Sequence, residues 1–209
     1  MRSMLGAVAR ITRCTGDNPP MDIDAEAAAA ETRAWVNRAV IGLNLCPFAK
    51  AAQVKELIRY VVSDASDEES LMATLCEEMQ RLVDTPATEI ETTLVIHPRV
   101  LNDFADFNDF LGAAEDVVGE MGLEGVLQVA AFHPEFQFGG TEPDDITNAT
   151  NRSPWPTLHL LREDSITKAV DSFPDPDSIY ETNMRTMETL GAAGWLALQQ
   201  ACKRDAKGS

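Results

Sequence analysis

Three histidines and one cysteine are the residues of this sequence whose types and positions best suit chemistry. His97 and His133 each precede a proline, and each ends an apolar run that predicts a β-strand. His159 lies within another such run, residues 157–161. Because imidazoles ligate transition metals and transfer protons near neutral pH, we expect metal ligands at His97, His133 and His159 and catalytic roles at His133 and His159. The alternative for each is a packing residue that is hydrogen-bonded at a strand end.

Cys46 is the cysteine with the most reactive predicted setting. It precedes Pro47, and proline favours the first position of a helix, so Cys46 is predicted to cap a short second helix. The unpaired backbone N–H groups at a helix start favour a thiolate. Cys46 is then a catalytic nucleophile or a metal ligand. Lys50 or Arg59 would add positive charge, and Arg59 is expected to contact the substrate. The alternative is a buried thiol that fills the core between its apolar neighbours.

The long segment over residues 135–156 carries polar groups suited to substrate binding. Loops of this length inside a domain are usually functional or disordered. Asn151 and Arg152 are predicted to orient an anionic or amide substrate, because they directly precede a Ser-Pro-Trp-Pro segment that leads to His159. For most other polar side chains of this segment we expect hydrogen bonds to their own backbone.

Alternating helices and strands must position these residues. Apolar periodicity predicts strands at residues 57–63, 92–96, 125–132 and 157–161, with helices before, between and after them. Two strand-helix-strand units predict parallel crossovers, while the long loop could return the fourth strand antiparallel. We therefore expect an α/β or α+β fold with a small, mostly parallel four-stranded sheet flanked by helices.

This sheet would bring the histidines to one place. If the second and third strands are parallel, His97 and His133 emerge at the same carboxyl edge, where open α/β sheets bind ligands. Alternation along the fourth strand places His159 on the face opposite Leu158 and Leu160. Since those two leucines form the better core face, His159 is expected to point toward a site.

Composition narrows the possible partners and location. The 209-residue chain has a net charge of -17, which repels phosphate backbones and anionic membranes, so no nucleic-acid or membrane partner is expected. No Walker A, GxGxxG, GxSxG or HExxH motif supports nucleotide-dependent or common hydrolase chemistry. The four cysteines form no CxxC pair, which favours a reducing, cytoplasmic location.

Residues 1–20 are predicted to differ from the following part of the chain, residues 21–205. Residues 1–20 begin with three arginines before the first acid and end in a Gly-Asp-Asn-Pro-Pro breaker, so they are predicted to be a disordered or organelle-targeting extension. Residues 21–205 have a globular composition and a length typical of a single domain.

Several strings of the sequence are similar to one known family. They are residues 44–49 (NLCPFA), 127–134 (LQVAAFHP), 138–141 (FGGT), 150–154 (TNRSP) and 157–163 (TLHLLRE). Together these strings resemble the family called domain of unknown function 1415, over roughly residues 30–200. That family has no established activity, so the resemblance implies membership and assigns no catalytic residue.

Two functional hypotheses from different classes remain. The first is an enzyme that acts on a small molecule in a Cys/His pocket at the carboxyl edge of the sheet, by metal-assisted or thiol-dependent chemistry. A divalent transition metal is the cofactor that such a pocket could use. The second is a noncatalytic metal-binding or protein-interaction module. The oligomeric state stays open under both.

Overall fold

Short β-branched runs and capped helical segments produce an α+β fold built on one sheet. The computed structural model describes residues 24–172 and 178–208, so the predicted extension over residues 1–20 lies outside the described residues. The strands are β1 (Ile58–Val62), β2 (Thr92–Ile96), β3 (Leu127–Phe132) and β4 (Thr157–Arg162). The α-helices are α1 (Ala25–Trp35), α2 (Ala49–Val54), α3 (Glu68–Asp84), α4 (Phe104–Glu120), α5 (Glu163–Ser172) and α6 (Ser178–Lys207). A π-helical segment, Val36–Ile41, continues α1, and a 3-10 helix, Ile146–Asn151, lies in the long loop.

Aspartate side chains begin three of these helices. Asp24, Asp67 and Asp103 each accept a backbone N–H of the first turn, at 2.9, 2.8 and 2.8 Å. A carboxylate in this position satisfies an unpaired N–H group and interacts favourably with the helix dipole. These caps explain why α1, α3 and α4 begin at Ala25, Glu68 and Phe104.

The sheet has the order β1-β2-β4-β3 and is mixed. β1 and β2 are parallel, whereas β4 is antiparallel to both of its neighbours, β2 and β3. The prediction of a mostly parallel sheet is therefore wrong. β4 follows the long loop without an α-helical crossover, and it inserts antiparallel between β2 and β3. β2 and β3 still run in the same direction, since both oppose β4.

Alternation along the strands gives the sheet two apolar faces with different helices on them. On one face, Val95, Leu158 and Leu160 pack with the buried side chains of α3 and α4. On the other face, Leu94 packs with residues of α1 and α6, such as Trp35 and Met187. The burial of Leu158 and Leu160 confirms the predicted core face of β4.

The long helix α6 is broken at Gly191. This residue has φ 65° and ψ 171°, a conformation that glycine adopts far more readily than residues with a side chain. α6 packs against α1 and the 3-10 helix. In the part of the chain that the structure describes, no helix is both long and apolar enough to cross a membrane.

Candidate functional site

A cleft of about 670 Å³ lies on the sheet face that carries Leu94. The strands β2, β3 and β4 form its floor, and its walls come from the π-helical segment, from residues 46–52 and from α5. Cys46 and His159 both line this cleft. Its volume falls within the range of about 300–1,000 Å³ that is typical of small-molecule sites.

Strand register explains which side chains form the floor. His159 of β4 stands between Leu94 of β2 and Ala130 of β3. In the next row, Leu161 stands between Thr92 and Gln128. Directly paired residues of neighbouring strands share a face of the sheet. The floor is therefore apolar except for an imidazole, a hydroxyl and an amide.

His159 belongs to a chain of two short hydrogen bonds. Its Nε2 lies 2.7 Å from the Thr92 hydroxyl oxygen, and that hydroxyl donates to the Leu160 carbonyl oxygen at 2.6 Å. A hydroxyl has one proton, and a carbonyl oxygen can only accept. The imidazole must therefore carry its proton on Nε2 and donate it to Thr92, which leaves Nδ1 with the lone pair.

The electrostatic setting of His159 agrees with this neutral tautomer. Burial lowers the pKa of His159 from 6.5 to about 4, because the charged imidazolium loses its hydration among apolar neighbours such as Phe132. At pH 7 the ring is therefore uncharged and offers a hydrogen-bond acceptor. An imidazole of this kind is a weak proton acceptor at neutral pH.

Cys46 lies in the cleft wall, but it does not cap the second helix. The helix α2 begins at Ala49 with Phe48 as its N-cap, and the Cys46 carbonyl accepts from the Ala49 N–H at 3.3 Å in the preceding turn. The predicted N-cap position is wrong because the turn over residues 46–49 comes before the helix. Cys46 is a partly exposed free thiol.

The π-helical segment holds the backbone at Cys46. The Val40 carbonyl accepts from the N–H groups of both Leu45, at 2.9 Å, and Cys46, at 3.3 Å. Gly42 permits this geometry, because a Cβ atom there would lie 2.3 Å from the Arg38 carbonyl oxygen. Single π-helical turns occur frequently at functional sites.

His97 and His133 lie on the opposite side of the sheet from the cleft. They do meet at the predicted edge, where their rings lie 5.6 and 5.1 Å from the ring of Phe107 in α4. Both side chains are fully buried. Each follows its strand in the same alternation as a residue of the α4 face, Val95 or Ala131, which explains their direction.

Backbone groups form hydrogen bonds with three of the four ring nitrogens, and His97 Nε2 is buried without a partner among the described residues. His97 Nδ1 donates to the Val100 carbonyl at 3.0 Å, while His133 Nε2 donates to the Leu101 carbonyl at 3.2 Å. The Glu135 N–H donates to His133 Nδ1 at 3.0 Å. Burial lowers the pKa of His97 to about 4 and also lowers that of His133. Both rings are thus neutral and hold the loop that leads into α4.

The three histidines therefore do not form one metal shell. Across residues 24–172 and 178–208, no group of three His, Cys, Asp or Glu side chains is placed to hold a metal ion. His159 faces the cleft, whereas His97 and His133 pack against α4. Because His133 faces α4 and Cys46 lines the cleft, these two residues also lie on opposite sides of the sheet.

The predicted substrate-binding residues also lie away from the cleft lining. Arg59 donates two hydrogen bonds to the Glu78 carboxylate of α3, at 2.7 and 3.0 Å. Asn151 Nδ2 donates to the Ala131 carbonyl at 3.4 Å. These contacts tie β1 to α3 and the 3-10 helix to β3, and they give both side chains a structural role.

Arg152 folds the long loop on itself. Its Nε donates to the Phe136 carbonyl at 3.1 Å, and its Nη2 donates to the Pro143 carbonyl at 2.7 Å. The buried Asn148 side chain accepts from the Phe138 N–H at 3.0 Å and donates to the Glu142 carbonyl at 2.9 Å. The hydrogen bonding expected for most polar residues of this loop thus extends to Arg152.

Thr92, Gln128 and Trp35 line the cleft, and the sequence analysis did not single them out. For Gln128 a signal was present, because alternation in LQVAAF places it on the face of Ala130 and Phe132. The position of Thr92 beside His159 depends on the register between β2 and β4, which no local pattern specifies.

The described residues thus define an α+β protein with one cleft of small-molecule size on a sheet face. The family model described as "Protein of unknown function (DUF1415)" matches residues 27–197 of the 209-residue chain. The chain belongs to this family, as the sequence resemblance indicated. No curated protein and no solved structure matches the chain.

Proposed function

We propose that this protein is an enzyme that binds a small molecule in the cleft and acts on it through the thiol of Cys46. The observation that carries the proposal is the placement of Cys46 and His159 in one cleft of about 670 Å³. Binding sites for small molecules are mostly apolar and contain a few polar groups that fix orientation. The cleft has this composition.

A thiol mechanism fits the described side chains better than a metal mechanism. His97 and His133 each bond a backbone carbonyl of the loop before α4 through one ring nitrogen, and both rings are fully buried away from the cleft. His159 alone of the three histidines lines the cleft, and one of its nitrogens is bonded to Thr92. A single available imidazole nitrogen and a thiol make a poor metal shell but a workable nucleophile and hydrogen-bonding partner.

The two cleft residues then have different roles. Cys46 is the nucleophile, and the neutral His159 orients the substrate through Nδ1. The lowered pKa of His159, about 4, makes a resting thiolate–imidazolium pair unfavourable, because the imidazolium is the form that burial penalises. His159 therefore stays neutral in the resting site and acts there as a hydrogen-bonding partner.

Selective alkylation of the full-length chain tests this proposal. Iodoacetamide labelling is followed by peptide mass spectrometry, with Cys76 and Cys202 as internal references. Burial raises the pKa of both reference thiols, so Cys46 should be labelled before either of them. A Cys46→Ser variant is the matched control, and a Cys76→Ser variant should label at Cys46 like the parent.

A second measurement connects the thiol to the cleft. Carboxamidomethylation of Cys46 should abolish binding of an uncharged amphipathic probe, 1-octanol, detected by saturation-transfer NMR. If Cys46 is labelled no faster than Cys76, or if the labelled protein binds the probe as before, the proposed site is wrong.

A further inference from the structure

We propose that the cleft selects an uncharged amphipathic molecule, which donates a hydrogen bond to Nδ1 of His159 and lays its apolar body along the alanine-lined wall. This inference rests on the proposed function and names the substrate class of the same site. It follows from three properties of the lining: its charge, its hydrogen-bonding groups and its shape.

Charge is the first property. The charged residues of the lining are Lys55, Glu91 and Arg162. The Arg162 guanidinium is committed elsewhere, because its Nη2 donates to the Leu82 and Thr85 carbonyls at the end of α3, at 2.5 and 2.6 Å. Lys55 is solvent-exposed, and the carboxylate of Glu91 in the same lining offsets its positive charge. An anionic ligand would therefore lose hydration without gaining a buried cationic partner.

The position of His159 also opposes a cationic ligand. Burial lowers the pKa of this imidazole to about 4, so its surroundings penalise a positive charge. An ammonium group at Nδ1 would meet the same penalty. An uncharged hydroxyl or amide can donate to Nδ1 without carrying that cost.

Hydrogen bonding is the second property. The Thr92 hydroxyl fixes the proton of His159 on Nε2, so the ligand must bring a donor to Nδ1. A hydroxyl or an uncharged amide group supplies such a donor.

Gln128 adds a second polar position on the same floor. It stands opposite Leu161, while His159 stands opposite Ala130, so Gln128 and His159 are diagonal neighbours on one face. Such pairs lie about 7–8 Å apart. The polar groups of the floor are thus close enough for one small head group, and the rest of the ligand meets hydrocarbon.

Shape is the third property. Five alanines line the cleft: Ala49, Ala51, Ala52, Ala130 and Ala169. Small side chains on three elements leave the space that gives the cleft its volume of about 670 Å³. Around this space stand larger apolar groups, including Val36, Val40 and Leu57. An extended or flat apolar body fits such a lining through the hydrophobic effect.

A series of probes that differ only in their head group tests the inference on the full-length chain. The probes are 1-octanol, octanoate and octylammonium, each measured by saturation-transfer NMR and by protection of Cys46 from iodoacetamide at pH 7.5. 1-Octanol should bind and slow the alkylation of Cys46. Octanoate and octylammonium should bind at least about tenfold more weakly, because each buries an uncompensated charge.

Two variants separate the head-group contact from the apolar contact. His159→Phe should weaken 1-octanol binding by about fivefold, the effect of one lost hydrogen bond, and should leave the affinity for octane nearly unchanged. Thr92→Val should weaken 1-octanol less, because it releases the Nε2 proton but keeps the ring. Circular dichroism and thermal unfolding show whether each variant is folded.

A measurement on the unaltered protein keeps the test independent of those variants. The 15N shifts of His159 should show a proton on Nε2 and a bare Nδ1 at pH 7, and the Nδ1 shift should move when 1-octanol binds. A proton on Nδ1, or tighter binding of octanoate or octylammonium, would overturn the inference and leave the proposed function intact. If none of the three probes binds or protects Cys46, the proposed ligand site fails with it.

Discussion

The two faces of the sheet use the same residue type in opposite ways. On the α4 face, His97 and His133 are fully buried and hold the loop before α4 by hydrogen bonds to the Val100 and Leu101 carbonyls. On the cleft face, His159 is only partly buried, and its Nε2 forms a hydrogen bond with the Thr92 hydroxyl. The comparison shows that a histidine is available for chemistry when a ring nitrogen remains unused beside open space, whatever motif surrounds it.

Acidification should have the largest effect, and it acts on both faces. His97 and His159 have pKa values lowered from 6.5 to about 4 in the folded chain, and that of His133 is also lowered. Between pH 6.5 and 4 the unfolded chain therefore binds more protons, so stability is complete above this window and falls as the pH falls through it. Each of the two larger shifts corresponds to a loss of about 3 kcal/mol. Urea unfolding at a series of pH values measures it.

Phenylalanine variants at His97 and His159 divide this loss between the faces. Each should remove its own share of the pH dependence, so the slope of stability against pH becomes smaller in both. An unchanged slope in either variant would contradict the assigned protonation state of that ring.

The next-largest effect should be a difference in side-chain packing between the two faces of the sheet. Phe107→Ala should lower the free energy of unfolding by about 4 kcal/mol, because Phe107 is 1% exposed and contacts both His97 and His133. Phe132→Ala, on the cleft face, should cost about 2 kcal/mol because Phe132 is only partly buried. Chemical denaturation compares them. Equal losses would mean that the cleft face is packed as tightly as the other.

A smaller effect should appear at the π-helical segment. Gly42→Ala places a Cβ 2.3 Å from the Arg38 carbonyl oxygen, so the backbone must move, at a cost of about 2 kcal/mol. Because the same segment holds Cys46, the rate of iodoacetamide labelling should change as well. Gly112→Ala in α4 is the control, since its Cβ meets nothing within 4 Å and alanine favours a helix. A Gly42→Ala variant with parental stability and labelling would remove the positioning role.

The smallest effect on stability should come from the thiol itself. Cys46→Ala removes one partly exposed sulfur, so the free energy of unfolding should change by less than about 1 kcal/mol, while the selective labelling disappears. Cys202→Ala, at a site that is 3% exposed, should cost more. Thermal unfolding compares the two. If Cys46→Ala is the more destabilising change, Cys46 is a core residue and not a cleft nucleophile.

Local sequence signals predict the four strands and the face of the sheet on which His159 lies. The alternation in TLHLL correctly predicts the core face of β4 and the direction of His159. The shared edge of His97 and His133 is also correct, because β2 and β3 run the same way.

The remaining features depend on contacts between distant residues. The insertion of β4 between β2 and β3 is a choice among sheet orders that no single segment encodes. The hydrogen bond between Thr92 and His159 follows from that insertion. The π-helical turn likewise reads as ordinary helix in the sequence, since Gly42 is recognisable as essential only from its approach to the Arg38 carbonyl.

The strand order also has a consequence for how the chain is made. Among the described strands, β4 is the last to be synthesised, yet it lies between β2 and β3 and is the one strand of the described sheet that pairs with β3. A nascent chain that ends before residue 157 can pair β1 with β2, but β3 then exposes both of its edges. Pairing between strands that are distant in sequence slows folding and leaves aggregation-prone intermediates with unpaired strand edges. The floor beneath the thiol is therefore completed late in synthesis, and translation pauses before β4 should favour aggregation.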